Sequence, residues 1–252
     1  MRALIQGVLL LAVYAVVIAS DVQKPLTVSS TKPFAEWQFV RLAYSDNGFG
    51  FGGRQRWLTD SPEAEEHLSG GLRRLSRINV TDDYLHIPIM DESLFDHPWV
   101  YAVEVGGWVL TDEECARLRE YLLRGGFLLV DDFHGSVEWE GFMASMRRIF
   151  PDRPVVDIPP TDSIFNVAYD LDDHVQIPGI AALSRGVTYE RDGYQPHWRG
   201  VYDDHGRLMV VIDFNMDLGD AWELADDPNY PVHYTVSAYK YGVNYVIYAM
   251  TH

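Results

Sequence analysis

The chain has 252 residues, of which 37 are Asp or Glu and 20 are Lys or Arg, so its formal net charge is −17. A charge of this sign and size repels phosphate backbones and anionic lipid surfaces, which argues against binding to nucleic acid or to a membrane surface. The single cysteine, Cys115, forms no intramolecular disulfide.

The N-terminus has the layout of a secretory signal peptide. Arg2 precedes an almost uninterrupted apolar run that ends in the small residues Ala19 and Ser20. We expect residues 1–20 to be a signal peptide, and the alternative is an uncleaved N-terminal anchor, since a run of about 17 residues can just span a bilayer. Residues 21–33 are expected to be a linker and residues 34–252 a single α/β domain. The protein is therefore expected to be exported, either periplasmic or secreted.

Strand and helix patterns alternate from the start of this domain. Phe39–Tyr44 predicts the first strand, and a helix follows with Ser61 as its N-cap and Pro62 at its first helical position. Further strands are predicted near Ile87 and over Val100–Val105.

The next segment carries the strongest local signals. Thr111 and Glu114 have the spacing of a capping box, and Gly125 marks the end of the helix that they begin. The run Phe127–Val130 is apolar without alternation, which is typical of a strand covered on both faces. Cys115 falls on the apolar face of the helix, where a packed thiol is far commoner than a nucleophile.

The C-terminal half continues the alternation. A helix is predicted from Gly135 or Ser136, a short strand over Pro154–Ile158, a buried strand over Leu208–Phe214 and a closing helix over Tyr239–Met250. The whole pattern predicts an α/β fold with a mainly parallel sheet and helices on both faces.

The first candidate site follows the buried strand at Val130. Ligands bind beyond the carboxyl ends of strands in open α/β sheets, and Asp131, Asp132 and His134 stand in that position. They suit ligand binding or acid–base chemistry, with Asp132 and His134 as the catalytic candidates, but aspartates at this position also cap helices and turns. The weaker ligand-binding candidates are Asp60, Arg207 and Glu223.

The sequence assigns no metal and no cofactor. Two acids and a histidine are a weak metal signature, and a fourth group would have to come from Asp60, His97 or His197. Asp213, Asn215 and Asp217 alternate at a strand end, but an EF-hand loop needs more ligands and a set glycine, so turn formation and capping explain them.

Other known chemistries find no support. Gly48, Gly50 and Gly53 match a dinucleotide fingerprint, but Arg54–Trp57 intervene before the next helix, so a loop over the site is the simpler interpretation. No G-x-S-x-G motif occurs in the sequence. Gly106 directly follows the predicted strand Val100–Val105, at the position where a nucleophile would be expected.

Several segments together resemble the bacterial domain-of-unknown-function family 4159. These segments are Phe39–Tyr44, Trp57-x-Thr59-Asp60, His97–Tyr101, Leu118-Arg119-x-Tyr121, Gly125–Asp132, Phe150-Pro151, Gly206–Leu208, Trp222-Glu223 and Asn244-x-x-x-Tyr248. The resemblance covers essentially the whole mature sequence. It implies a flavodoxin-like fold, related to class I glutamine amidotransferases and trehalose-utilisation-type proteins.

Two departures limit what the resemblance implies about activity. Gly106 and Gly107 occupy the elbow where an amidotransferase has its nucleophile. An Asp-His-Pro element is expected before Ile164, where this chain has Thr161-Asp162-Ser163. We therefore expect a non-catalytic exported domain that binds a small ligand or a partner protein at the carboxyl edge of its sheet. The alternative is a hydrolase for a glycan or amide, with or without a metal, in which Asp132 or His134 is the general base.

Overall fold

The computed structural model describes residues 35–46, 55–171 and 173–252. The expected signal or anchor (1–20), the linker (21–33) and the glycine-rich loop around Gly50 lie outside the described residues. All described residues fall in one compact unit that spans residues 34–252. Among them, no helix combines the length and the apolar character that a membrane span requires.

A seven-stranded sheet lies at the centre of the fold. Its strands are β1 (Val40–Ala43), β2 (Leu85–Pro88), β3 (Trp99–Val103), β4 (Phe127–Asp131), β5 (Val156–Asp157), β6 (His197–Tyr202) and β7 (Leu208–Phe214). Their order across the sheet is β2-β1-β3-β4-β7-β6-β5. The first five strands in that order are parallel, whereas β6 pairs antiparallel with β7, and β5 antiparallel with β6. The predicted α/β fold is confirmed with a mostly parallel sheet, but the sheet is mixed.

Helices cover both faces of this sheet. They are α1 (Glu63–Leu75), α2 (Asp112–Leu123), α3 (Gly135–Ile149), α4 (Ile180–Ser184), α5 (Leu218–Glu223) and α6 (Val232–Thr251). Buried residues of α2 and α3 pack with Leu128 and Val130, while those of α1, α5 and α6 pack with Phe127 and Leu129. The apolar run in β4 lacks alternation because both of its faces are covered.

The predicted capping box at the start of α2 is confirmed. The Thr111 hydroxyl accepts a hydrogen bond from the Glu114 N–H at 3.1 Å, and the Glu114 carboxylate accepts one from the Thr111 N–H at 2.8 Å. The helix ends at Leu123, and Gly125 follows with φ of 112°. A positive φ of this size favours glycine, so the predicted stop is correct.

Three sequence predictions differ from the structure. Pro62 is the N-cap of α1 rather than its first helical residue, and α6 begins at Val232 rather than Tyr239. Strand β6 was not predicted, because His197 and Arg199 interrupt its apolar residues on the face that they share. These differences concern element limits and one strand near the edge, and they leave the parallel centre unchanged.

A carboxylate site at the ends of the parallel strands

The candidate site lies at the carboxyl edge, the edge of the sheet at which the parallel strands end. Asp131 is the last residue of β4, and Asp132 follows it directly. Asp217 is the N-cap of α5, shortly after the end of β7. Asp60 reaches the same place from the segment before α1. The carboxyl ends of parallel strands meet at one edge, which brings these distant residues together.

Asp131 is fully buried and holds the start of α5. Its Oδ2 accepts hydrogen bonds from the N–H groups of Leu218 at 2.8 Å and Gly219 at 3.0 Å, and from the Tyr101 hydroxyl at 3.0 Å. Its Oδ1 is buried without a hydrogen-bond partner. Burial raises the pKa of Asp131 to about 7, although the three hydrogen bonds oppose that shift. Asp131 therefore shapes the site by fixing α5.

Asp132 and His134 are in direct contact. The Nε2 of His134 lies 3.1 Å from Oδ1 of Asp132, and both residues are buried. Burial, and after it the charge of Glu104, raises the pKa of Asp132 well above its usual value. Burial, and after it the charge of Arg191, lowers the pKa of His134 to about 3, so the imidazole is neutral near pH 7. A neutral imidazole donates through Nε2 to the carboxylate and orients it.

Asp60, Asp132 and Asp217 form a triad of carboxylates. One oxygen of each lies within 4.8 Å of the corresponding oxygens of the other two. Asp60 is 8% exposed, and its Oδ2 is buried with no hydrogen-bond partner. Burial raises the pKa of Asp60 and of Asp217, and the neighbouring carboxylates Asp220 and Asp132 add to the respective shifts.

A second triad shares Asp60 with the first. One oxygen each of Asp60, Asp220 and Glu223 also lie within 4.8 Å of one another. Asp220 already accepts a hydrogen bond from the Ile180 N–H at 2.6 Å. Asp220 therefore holds the start of α4 as well as belonging to this outer triad.

Glutamates with arginine partners surround the aspartates. Arg56 bonds to Glu104 at 2.8 Å and lies 3.7 Å from Glu138, which also pairs with Arg191. The Glu138 carboxylate accepts a hydrogen bond from the His134 N–H at 2.7 Å. Burial, and after it the charge of Glu138, raises the pKa of Glu104. These ion pairs fix the rim of the site.

Unusual backbone conformations concentrate at this edge. Among the described residues other than glycine, five have positive φ, and they are Asp60, Glu104, Asp132, Arg191 and Asn215. Four of them follow β1, β3, β4 or β7, and the fifth pairs with a glutamate of the rim. Such conformations cost free energy and cluster where the surrounding structure holds a functional geometry in place.

The structure brings together most, but not all, of the residues predicted from sequence. Asp60, Asp131, Asp132, His134 and Glu223 all lie at the carboxyl edge. Of these, Asp131 accepts hydrogen bonds from backbone N–H groups, which is the alternative role that the sequence offered for an aspartate at this position. The N–H groups belong to α5, whereas the expected ones belonged to the turn or helix directly after β4.

Arg207 lies at the opposite edge of the sheet. Its guanidinium donates to the carbonyl oxygens of Leu122 at 2.6 Å and Gly126 at 3.1 Å, just before β4 begins. It closes the end of α2 and has no place at the carboxyl edge. His97 also precedes its strand, β3, and His197 stacks on Phe214, outside both carboxylate triads.

Sequence reasoning missed two members of the site. Asp217 was noted in an alternating acidic pattern but explained by capping, and it does cap α5, through the Asp220 N–H at 2.7 Å. Asp220 was not singled out. The signal available in the sequence was the density of acids after β7, at the edge where Asp131 and Asp132 were already expected.

Gly106 stands at the position of a nucleophile elbow, directly beyond β3. A side chain there has no room, because a Cβ on Gly106 would lie 2.4 Å from the Glu138 Cβ. The backbone of α3 is equally close, since a Cβ on Gly141 would lie 2.3 Å from the Gly106 carbonyl oxygen. The close packing of α3 against this turn therefore requires glycine on both sides.

The fold and the site define an α/β domain with a mostly parallel sheet and a carboxylate cluster beyond its strand ends. Residues 38–250 match the family model described as domain of unknown function (DUF4159). The chain therefore belongs to this family, as its motifs predicted. A search among curated proteins finds no match to the sequence.

Proposed function

We propose that the protein is an exported ligand-binding domain whose site is the carboxylate cluster at the carboxyl edge. The observation that carries the proposal is the concentration of positive-φ residues there, at Asp60, Glu104, Asp132, Arg191 and Asn215. A fold under selection for stability alone has no reason to hold glutamate and arginine in this conformation around one cluster of buried acids. The acidic lining favours a neutral or cationic ligand over an anionic one.

A flavodoxin-like placement of the fold is part of this proposal. The order β2-β1-β3-β4-β7 of the parallel strands corresponds to the flavodoxin-like order 2-1-3-4-5. In that arrangement the strand order reverses between β1 and β3, and ligands bind in the crevice outside this point. Asp60 follows β1 and Glu104 follows β3, so the carboxylate cluster lies beside the expected crevice.

The crowding at the elbow supports a role other than amidotransfer. Gly106 leaves no space for a nucleophilic side chain next to Glu138, and Cys115 is buried on the sheet-facing side of α2. Burial also raises the pKa of the Cys115 thiol, which disfavours the reactive thiolate. No nucleophile of the amidotransferase type is therefore assigned to this protein.

A hydrolase remains the second candidate because of one observation. The raised pKa of Asp132 is a property that general acids and bases share. His134 supports this candidate poorly, since an imidazole with a pKa of about 3 is a weak base near neutral pH. Binding therefore accounts for more of the site than catalysis does.

A thermal-shift survey tests the binding proposal. The full chain, recovered from the exported fraction of an expressing bacterium, is tested with neutral sugars, amines, short basic peptides and divalent cations. Asp60→Asn removes one charge from the site and suits φ of 63°, since asparagine tolerates this region. Asp204→Asn is the control, because it removes the same charge from a side chain that is 79% exposed at the opposite edge.

We expect at least one ligand class to raise the melting temperature of the wild type and of Asp204→Asn by several degrees, and to leave Asp60→Asn unchanged. An equal shift in Asp60→Asn, or no shift with any class, contradicts the proposal. A chain found only in the cytoplasm contradicts its export.

A further inference from the structure

We propose, on the basis of the ligand-binding function above, that the ligand includes a divalent cation held by the carboxylates of Asp60, Asp132 and Asp217. These three residues come from three separate segments of the chain, after a short 3-10 helix, after β4 and at the start of α5. Only the folded sheet brings them within reach of one ion.

The spacing of the oxygens suits one shared divalent cation. One oxygen from each carboxylate lies within 4.8 Å of the other two. Oxygens on one Ca²⁺ stand about 2.3–2.6 Å from the ion, so two of them lie at most about 5 Å apart. Mg²⁺ binds at about 2.0–2.1 Å, which places two of its oxygens at most about 4 Å apart, so the same bound admits Mg²⁺ as well. The triad is therefore compact enough for three carboxylates to hold one divalent cation, with water completing its coordination.

A buried acceptor without a partner gives the second, independent reason. Asp60 is 8% exposed, and its Oδ2 accepts no hydrogen bond. A buried carboxylate oxygen without a donor is costly, and a bound cation removes that cost. The hydrogen bonds of Asp132 and Asp217 at the triad engage their Oδ1 atoms, so an ion bound through the other oxygen of each carboxylate would leave both bonds intact.

The basic residues of this edge are occupied elsewhere. Arg41 pairs with Glu65, Arg56 pairs with Glu104, and Arg191 pairs with Glu138. Within the described ranges, no lysine or arginine forms an ion pair with any of the three aspartates. The charge of Arg41 acts on Asp60 without an ion pair between them, so a cation from solution would be the first positive charge bound directly to the triad.

His134 has the position of an orienting residue rather than a ligand. Its Nε2 contacts Oδ1 of Asp132 at 3.1 Å and so fixes the rotation of that carboxylate. Groups that hydrogen-bond to ligating carboxylates commonly orient them toward the ion. The three residues that the sequence singled out after β4 therefore have different roles in this proposal. Asp132 is a ligand, His134 orients it, and Asp131 holds the backbone of α5.

Calorimetric titration of the full, chelator-treated chain with CaCl₂, MgCl₂ and MnCl₂ tests this site. The variants are Asp60→Asn and Asp217→Asn, and the control is Asp204→Asn. Asparagine keeps the N-cap at position 217, so both site variants are expected to fold, and circular dichroism checks that they do. We expect at least one of the three ions to bind once per chain in the wild type and the control, with affinity at least tenfold weaker in both site variants.

Two results overturn the cation site. Equal affinity for the bound ion in all four proteins shows that the ion binds elsewhere. No heat with any of the three ions, together with an Asp60-dependent thermal shift by sugars, amines or peptides, rejects the cation and retains the proposed function. If no ligand class gives an Asp60-dependent shift, both proposals are wrong.

Discussion

The buried ion pair beneath the site gives a prediction with a defined pH dependence. Arg41 in β1 is fully buried, and its Nε lies 2.5 Å from Oε1 of Glu65. The same guanidinium donates to the carbonyl oxygen of Thr59 at 2.8 Å, next to Asp60. The pair therefore holds the segment that carries Asp60 against the sheet, and Glu65→Gln is the perturbation that removes its negative partner.

The size of the effect follows from the pKa of Glu65. Burial alone would raise this pKa, but hydrogen bonds from His86 and Arg41 and the charge of Arg41 outweigh it and lower the pKa from 4.5 to about 2. A lowered pKa stabilises the fold above the unfolded value of 4.5, and this stabilisation is lost as the pH falls toward 2. A difference of about 2.5 pKa units corresponds to about 3 kcal/mol at pH 5, of which roughly half is lost at pH 3.

Urea unfolding of the wild type and of Glu65→Gln at pH 5 and pH 3 measures this contribution. We expect the wild type to be more stable by about 3 kcal/mol at pH 5 and by only about 1–2 kcal/mol at pH 3. Glu66→Gln on the exposed side of the same helix is the control, with an expected difference below about 0.5 kcal/mol at both pH values. A wild-type advantage that stays the same at pH 3 would falsify the pairing as the cause.

Three further predictions concern residues at the carboxyl edge. Gly106→Ala places a Cβ 2.4 Å from that of Glu138, so we expect a loss of about 1–3 kcal/mol in urea unfolding. Gly219→Ala places a Cβ 2.0 Å from Oδ2 of Asp60, so calorimetry should show weaker ligand binding even where the melting temperature is restored by a stabilising additive. Asp131→Leu leaves two N–H groups of α5 without their acceptor and should cost about 2–4 kcal/mol, whereas Asp131→Asn keeps an acceptor and should cost less. Equal stability of the two Asp131 variants, or of Gly106→Ala and the wild type, contradicts these assignments.

The parallel centre of the fold was predictable because its signals are local. The capping box at Thr111, the glycine stop at Gly125 and the apolar run in β4 each lie within a few residues of the structure that they specify. The position of Asp131 and Asp132 beyond a central strand followed from these elements alone. Local patterns thus located the correct edge of the sheet.

The composition of the site was less predictable because it depends on contacts between distant segments. Asp60 and Asp217 meet only after β1, β3, β4 and β7 are aligned in that order, and α5 is too short for its periodicity to be recognised. Arg207 could have been set aside from the sequence. It precedes the predicted strand Leu208–Phe214, so it had to lie at the amino end, away from residues that follow their strands.

At the carboxyl edge, glutamates have arginine partners and the aspartates of the inner triad do not, and this difference connects stability with function. Glu65, Glu104 and Glu138 each pair with an arginine, and these pairs fix the segments around the site. The aspartates of the inner triad have no such ion-pair partner. Burial, and after it the charges of neighbouring carboxylates, raises the pKa of Asp60 and of Asp217, which weakens the fold near neutral pH. A further arginine paired with these aspartates would relieve that repulsion. A ligand that binds only the folded state also relieves this repulsion, and its binding adds stability. Unpaired aspartates next to three glutamate–arginine pairs are therefore the arrangement expected of a binding site.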